Sequence, residues 1–568
     1  MDSPVAARAM HRDDRYENDP EGGDGRSGED PTVRGHGDDA VAAPPDPPDV
    51  DPVIAPWWRR SHPMLVAGGL ALLVGLMALL MYASQRPGHW WGDDWALYLR
   101  QAKSLVDGDP GAITADNEFT VARSLGAPFS PPLYPWGFPL ILAPFVAVVG
   151  IDVDALAIVP VLSASVFACA WFALARRRLG TTVAFVSTPA ITLTPLLFSW
   201  SELIQSEWPF LAVTFAMLVA VDHAVESQVL TNTAGRLWPL VLLGIGAAMA
   251  FTVRREGLAM TAAIAGAQLG LLTTGAPPMR EWFRSRQLIA RLLIPHLAAL
   301  ATVYGLQWAL PSTLVPKYDG TGIRNTYRFG DRLFRNLAEI VGLKRPWDHD
   351  IVVLGSSGLG AAAMWAMLVM MLVGVAVALT VRRRRDLHLL VYGLVAFAIG
   401  GSFRSAINRY MATVGPIVLL LALVGLTTLV GFRRRWIGSI AAVLVVAGLV
   451  AGNLANVHLR VQSAERFVDA GAIEFGPTHP SAVEMFDAVT ANSDPDDVVA
   501  GPKARALTLM TDRRSIQVDT WRPLPDDWSP TLVVVELGSA VDDEMATEHA
   551  DRYEEIWSNS RFAIYRAR

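Results

Sequence analysis

The sequence predicts a polytopic α-helical membrane protein with about eleven transmembrane helices, followed by a small soluble α/β domain. Three observations predict it. The chain of 568 residues is 52% hydrophobic and only 18% charged, with a mean hydropathy of +0.31. That is too apolar for an ordinary soluble protein, and the chain is too long for one core. The apolar residues are gathered into runs of span length, and beyond residue 456 these runs give way to short alternating segments.

Residues 1–56 carry fourteen Asp and Glu against five Arg and no Lys, a charge of −9 in a chain whose total is −6. The segment is rich in Pro, Gly and Asp and nearly free of aromatics, so it cannot bury enough apolar surface to offset its chain entropy; it reads as a disordered acidic tail. The remainder is only slightly basic and shows no nucleic-acid signature. No secretory signal precedes the first apolar run at Met64, which is therefore expected to stay as an anchor helix. The single cysteine, Cys169, lies inside an apolar run, which excludes an internal disulfide.

Crossing roughly 30 Å of hydrocarbon takes about 17–25 residues. Runs of that kind lie near 64–82, 155–175, 181–200, 206–223, 237–253, 257–274, 288–310, 358–381, 387–402, 410–430 and 436–456, within a domain taken as 57–456 and surrounded by membrane lipid. Phe138–Gly150 is also apolar, but it is short for a span and is bounded by Pro and Gly; it is expected to be an interfacial helix. Arginine placement sets the orientation, because cytoplasmic loops collect Lys and Arg. With the N-terminus inside, Arg59–Arg60, Arg176–Arg178, the Arg280–Arg291 segment, Arg382–Arg385 and Arg433–Arg435 all fall inside. The outside then holds a loop at 83–154, a second at 311–356, and the domain at 457–568.

Some cations break this rule. Arg254 and Arg255, Arg404 and Arg409, and Lys317, Arg324 and Arg328 fall on the outer side, where an anion is their natural partner. Snorkelling surface charge explains Lys317, Arg324 and Arg328 equally well. Glu207 sits at the outer end of a span, where a carboxylate needs a partner or a ligand, and Glu256 is expected to pair with Arg254 or Arg255.

The first outer loop opens with Asp93 and Asp94 framed by Trp91 and Trp95. From Asp94 on, Tyr98, Ala102 and Leu105 recur at helical spacing, which predicts an amphipathic helix on the membrane surface. Taken alone, Asp94 is a helix cap. The doubled carboxylate beside an apolar surface also suits a base of raised pKa that takes a proton from a hydroxyl, with the tryptophans stacking on a sugar or serving as an aromatic belt. His89 and the outer carboxylates leave a divalent cation possible, although one histidine beside acids is usually polar surface. Beyond 456, helices at 481–491, 503–510 and 542–557 and strands at 497–501, 514–518, 531–537 and 561–566 are expected, with no phosphate loop or metal-spaced ligands.

The order Asp94…Tyr98, then Tyr134-Pro135-Trp136-Gly137-Phe138-Pro139, then Arg254-Arg255-Glu256-Gly257, then Asn408-Arg409-Tyr410 before Pro416 resembles the GT-C superfamily of membrane glycosyltransferases. It is most similar to the protein O-mannosyltransferase and aminoarabinose transferase branch, in an actinobacterial-type member. The resemblance implies transfer of a sugar from a polyprenyl-phosphate donor to an envelope glycan, lipid or protein on the outer face, with inversion and without a required cofactor. It implies Asp94 as catalytic base, with the division of labour between Asp94 and Asp93 open, because many relatives carry the second carboxylate where this chain has Trp95. It implies donor-phosphate binding by Arg254 and Arg409, with Arg404 and Lys317, and sugar-binding or supporting roles for Trp95, Tyr98, Tyr134, Glu207 and Glu256. A transporter or flippase, and a polyprenyl-pyrophosphate-dependent glycan ligase, stay open as alternatives.

Overall fold

The structure, a computed structural model, describes residues 63–92, 94–125, 133–274, 279–314, 358–402, 408–518 and 530–568. The acidic tail, Asp93, Arg404, Lys317 and nearly all of the expected second outer loop at 311–356 lie outside the described residues.

Each of the eleven expected runs is helical. Those that position the site are α1 (Pro63–Ala83), α2 (Asp94–Asp107), α3 (Ala112–Arg123), α4 (Gly137–Val149), α5 (Ile158–Leu179), α6 (Thr181–Thr192), α7 (Glu207–Glu226), α8 (Trp238–Val253), α9 (Leu258–Thr273), α10 (Arg286–Ala309), α11 (Gly358–Leu379), α12 (Arg383–Ser402), α13 (Val414–Val430) and α14 (Arg435–Asp469). Among the described residues, five helices are long and apolar enough to cross a membrane. A sixth candidate is the pair Thr181–Thr192 and Pro195–Glu202, bent by 55°. The bend has a local cause: Thr194 is held extended before Pro195, and Pro195 then opens the next helix at its first turn. The apolar helices of 10–17 residues include Gly137–Val149, Trp238–Val253 and Val414–Val430.

Two boundaries differ from expectation. The last span was expected to end near 456, but α14 runs unbroken for 35 residues to Asp469. At about 1.5 Å per residue it outreaches the hydrocarbon by many residues, because nothing between Asn456 and Gly471 breaks a helix and Gly471 then supplies the positive φ of 58° that ends it. The second difference is α2. Its first half is buried on nearly all sides, Trp95, Ala96, Leu97, Tyr98 and Leu99 together, packed against α4 and against the C-terminal domain. The first half of the expected surface helix is thus interior, covered by chain that a periodicity argument does not see, while Lys103, Val106 and Asp107 in its second half are exposed.

The C-terminal domain holds α15 (Pro480–Ala491), β1 (Val498–Gly501), α16 (Ala504–Thr511), β2 (Arg514–Gln517), β3 (Leu532–Glu536), α17 (Ala540–Thr547), β4 (Tyr553–Ser558) and β5 (Phe562–Ala567). The sheet order is β2-β1-β3-β5-β4, with β1 parallel to both neighbours and β5 antiparallel to both of its own. Strand alternation builds two cores: Leu532 and Val534 face one side with Phe486 and Phe562, and Val533 and Val535 face the other with Ile516 and Met545. The helix expected over 542–557 stops at Thr547. Tyr553–Ser558 is instead the edge strand of a hairpin turned at Asn559, whose side chain accepts from the backbone of Arg561 and Phe562. The long-range pairing of β5 with β4 overrides the local helical pattern.

The domain is locked onto the segment that carries α2 and α3. Thr120 Oγ1 donates to the Ser515 carbonyl at 2.8 Å, and Leu125 N–H to the Gln517 carbonyl at 2.8 Å. Trp91 sits edge-on to Phe475, Phe486 and Phe562, with ring centroids 6.2–6.4 Å apart.

Candidate active site

Four separate segments meet at one end of the helical bundle, and each is delivered there by local structure. Asp94 is the first residue of α2 and Glu207 the first of α7, positions where a helix dipole favours a carboxylate. Arg254 ends α8 in an extended conformation, and a short 3-10 turn over Arg255–Gly257 follows it. Arg409 lies on the helical turn Asn408–Met411. Two motif glycines allow this convergence. A Cβ on Gly137 would lie 2.4 Å from Val253 N, and one on Gly257 would lie 2.2 Å from the Ala250 carbonyl carbon, so both glycines press directly on the last turn of α8.

The contacts form one network. Asp94 Oδ1 accepts from the Tyr134 hydroxyl at 2.5 Å, and Oδ2 accepts from Arg409 Nη1 at 3.2 Å. Arg409 Nε lies 2.7 Å from Glu207 Oε1, the oxygen that also accepts from Arg254 Nη1 at 2.7 Å. Arg254 Nη2 donates to Glu256 Oε1 at 3.0 Å, and Nη1 reaches Ser206 Oγ at 3.1 Å. Ser206 Oγ lies 3.3 Å from the Tyr98 hydroxyl. Asp94, Tyr98, Tyr134, Arg254, Glu256 and Arg409 line one cavity of about 70 Å³. Arg255 lines it too, with its guanidinium donating to the Thr313 carbonyl.

Burial pushes the Asp94 carboxyl up, but the Arg409 guanidinium, the Tyr134 hydrogen bond and the Arg505 charge together outweigh it and hold Asp94 below the ordinary carboxylate range. The expected raised pKa is therefore replaced by a carboxylate that stays ionised. Burial, reinforced by the Asp94 charge, pushes both the Tyr98 and Tyr134 hydroxyls up, so both remain protonated donors.

The model for the family of dolichyl-phosphate-mannose-protein mannosyltransferases matches residues 130–305. No curated relative matches in sequence. The fold superposes on ArnT from Cupriavidus metallidurans bound to undecaprenyl phosphate, with a TM-score of 0.51 and 13% identity over 88% of this chain and 98% of that one. On the apo state of the same protein the TM-score is 0.52, with the same identity and coverage. The chain has the GT-C fold. The archaeal oligosaccharyltransferase AglB from Archaeoglobus fulgidus aligns more loosely, with a TM-score of 0.46 and 12% identity over 85% of this chain and 70% of that one.

Within this GT-C fold the sequence-derived residues separate by position. Asp94, Tyr98, Tyr134, Glu207, Arg254, Glu256 and Arg409 come together. Trp95 is wholly buried against His89, with its indole N–H donating to the Gly92 carbonyl at 2.8 Å, so it supports the loop from beneath. His89 is committed as well. Its Nε2 accepts from Ile204 N–H at 3.1 Å, which leaves Nδ1 to donate to the Trp90 carbonyl at 2.8 Å, and burial pushes its pKa down to about 4. Asp93, Arg404 and Lys317 lie outside the described residues.

Arg505 was missed. It is buried on α16 of the C-terminal domain, with its guanidinium carbon 5.6 Å from the Tyr134 ring centroid. Nothing in a strand-and-helix reading of that domain singles it out; only the docking of α16 on α2 brings it to the site. Arg505→Met is expected to shift the acid limb of activity to higher pH, because losing a nearby positive charge raises the Asp94 pKa. Activity at neutral pH should stay within about tenfold of wild type, or roughly 1.4 kcal/mol of barrier. A pH–rate profile unchanged from wild type would remove Arg505 from the site.

Proposed function

We propose that this chain transfers a sugar from a polyprenyl-phosphate donor to an acceptor of the cell envelope, a glycan, lipid or protein, on the outer face of the membrane and with inversion. The observation that carries this reading is the Asp94 carboxylate paired with Arg409 at 3.2 Å, in a cavity whose described lining also holds Arg254, Arg255 and Glu256. Three guanidiniums against two carboxylates among the described lining residues suit an anionic leaving group. The family match over 130–305 and the fold of ArnT support the same class.

The chemistry follows from the geometry. An acceptor hydroxyl gives its proton to Asp94, where Oδ2, held by the longer of the two contacts at 3.2 Å, has the spare acceptor capacity. The acceptor oxygen forms a bond to the anomeric carbon from the side opposite the phosphate. The bond from that carbon to the phosphate oxygen breaks, and its electron pair leaves on the phosphate. Arg409 and Arg254 are prepositioned by Glu207 and Glu256, so they can meet the charge on the leaving phosphate without reorganising. No separate acid is needed, because a lipid phosphate leaves readily.

A divalent cation does not fit the described donor set. Asp94, Glu207 and Glu256 each commit oxygen to arginine or tyrosine, and among the described residues no three His, Cys, Asp or Glu side chains are placed so that they could hold a metal ion. Metal-independent transfer is therefore part of the proposal. So is the orientation. Arg177, Arg178, Arg382 and Arg385 gather with Asp222 and Asp386, and α7 carries Asp222 fifteen residues from Glu207, about 22 Å along the helix. The proposal places that arginine-rich end in the cytoplasm and the Asp94 end, with the C-terminal domain, outside.

The test is transfer by the purified full chain in lipid nanodiscs, using radiolabelled polyprenyl-phosphate monosaccharides and envelope fractions, with and without EDTA. Label is expected to reach an envelope acceptor from at least one donor at an unchanged rate in the chelator. Label carried across the bilayer of proteoliposomes with no transfer would replace this reading with a transporter.

A further inference from the structure

A second cavity, of about 290 Å³, is walled in part by Trp200, the ring that the Arg409 guanidinium lies over. It is near the lower end of small-molecule pockets, roughly 300–1,000 Å³. Its walls are two tryptophans and two arginine–glutamate systems: Trp90 and Trp200, with Arg86, Glu202, Arg460 and Glu474. Four chain segments build it. Arg86 and Trp90 come from the loop after α1, Trp200 and Glu202 from the end of the bent pair's second half, Arg460 from α14, and Glu474 from the segment beyond it.

Three features define what fits. The charges are already matched: Arg86 Nη2 meets Glu202 Oε2 at 3.1 Å, Arg86 Nη1 meets Glu474 Oε2 at 2.5 Å, and Arg460 Nη1 meets Glu202 Oε1 at 2.6 Å. An anion or a cation entering would have to break a pair, whereas hydroxyls, which both donate and accept, can bond to either member. The aromatic walls differ in exposure. Trp90 is 56% exposed and Trp200 only 8%, so one indole is open to solvent and the other is set into the wall. Finally, the cavity adjoins the chemistry, because the Arg409 guanidinium carbon lies 5.7 Å from the Trp200 ring centroid while its Nη1 bonds Asp94.

We propose that this cleft is the acceptor subsite and that it takes an uncharged sugar ring, held by the apolar C–H face on an indole and by hydroxyls on the Arg–Glu pairs. The assignment rests on the transferase reading above and narrows its acceptor to a saccharide, or to a lipid or protein already bearing one.

The experiment uses the full chain in nanodiscs and two readouts. Saturation-transfer NMR with the methyl glycosides of mannose, glucose, galactose and arabinose reads the cleft without any donor. Initial rates with the donor found above read acceptor and donor KM separately. Trp90→Ala touches none of the network around Asp94, and it is expected to weaken glycoside binding and raise acceptor KM by about tenfold. Donor KM and undecaprenyl-phosphate binding should stay at wild-type values, and Trp90→Phe should restore most of the loss. A wild type that binds none of the four glycosides, a Trp90→Ala protein that binds them equally, or a rise in donor KM instead of acceptor KM would overturn the assignment. Transfer to an envelope acceptor without glycoside binding would sink the cleft and spare the transferase. Glycoside binding abolished by Trp90→Ala, with no transfer from any donor, would leave a saccharide site and sink the transferase.

Discussion

Asp94→Asn is expected to lower sugar transfer by roughly 10²–10⁴-fold, the span over which a positioned general base contributes. The substitution is nearly isosteric, and the network can absorb it. The amide oxygen still accepts from Arg409, and the amide NH2 donates to a rotated Tyr134 hydroxyl, which in the native site donates to Asp94. The donor pocket should therefore survive, and undecaprenyl-phosphate binding should stay within a few-fold of wild type. Loss of turnover with binding retained separates a chemical role from a packing role. Transfer by the asparagine protein at the native rate would move the base elsewhere, and Asp93 would be the next residue to replace.

The native pH profile follows from the same geometry. Arg409, Tyr134 and Arg505 outweigh the upward push of burial and keep Asp94 ionised well into acid. The protein is thus ready to accept a proton throughout the neutral range, but its base is weak. A weak base suffices here because the leaving phosphate needs little help; proton removal must be timely more than forceful.

The helices were legible because lipid-facing segments advertise themselves by length and apolarity alone. So were the charged residues at their ends. Arg254, Arg409 and Glu207 stood out because a charge at a span terminus is costly without a partner, and here the partners are one another. What stayed hidden has a common physical origin. Burial of the first half of α2 on nearly all sides, the strand at Tyr553–Ser558 and the arrival of Arg505 beside Tyr134 each depend on contacts between segments far apart in sequence. The doubled Asp93–Asp94 suggested a desolvated acid, and that inference failed for Asp94 because a sequence window cannot show that Arg409, 315 positions later, lies against it.

Arg409→Met should show how much that guanidinium carries. The substitution keeps an apolar stem of similar length between Trp200 and Tyr410 and removes the charge that joins Asp94 to Glu207. Two consequences add. The leaving phosphate loses a preorganised cation, which costs roughly 10²–10³ in rate by analogy with removal of one donor from an oxyanion site. Burial, no longer opposed by this guanidinium, also raises the Asp94 pKa, so the acid limb moves to higher pH, and by more than in Arg505→Met. Arg409→Lys distinguishes the two effects. An ammonium restores positive charge and should bring the acid limb back toward its native position, yet it cannot reach Asp94, Glu207 and Gln205 together as the planar fork does, so the maximal rate should stay depressed. If the methionine protein keeps both the native rate and the native acid limb, then Arg409 only ties the helices together, and the positive charge at the phosphate has to come from Arg254 and Arg255.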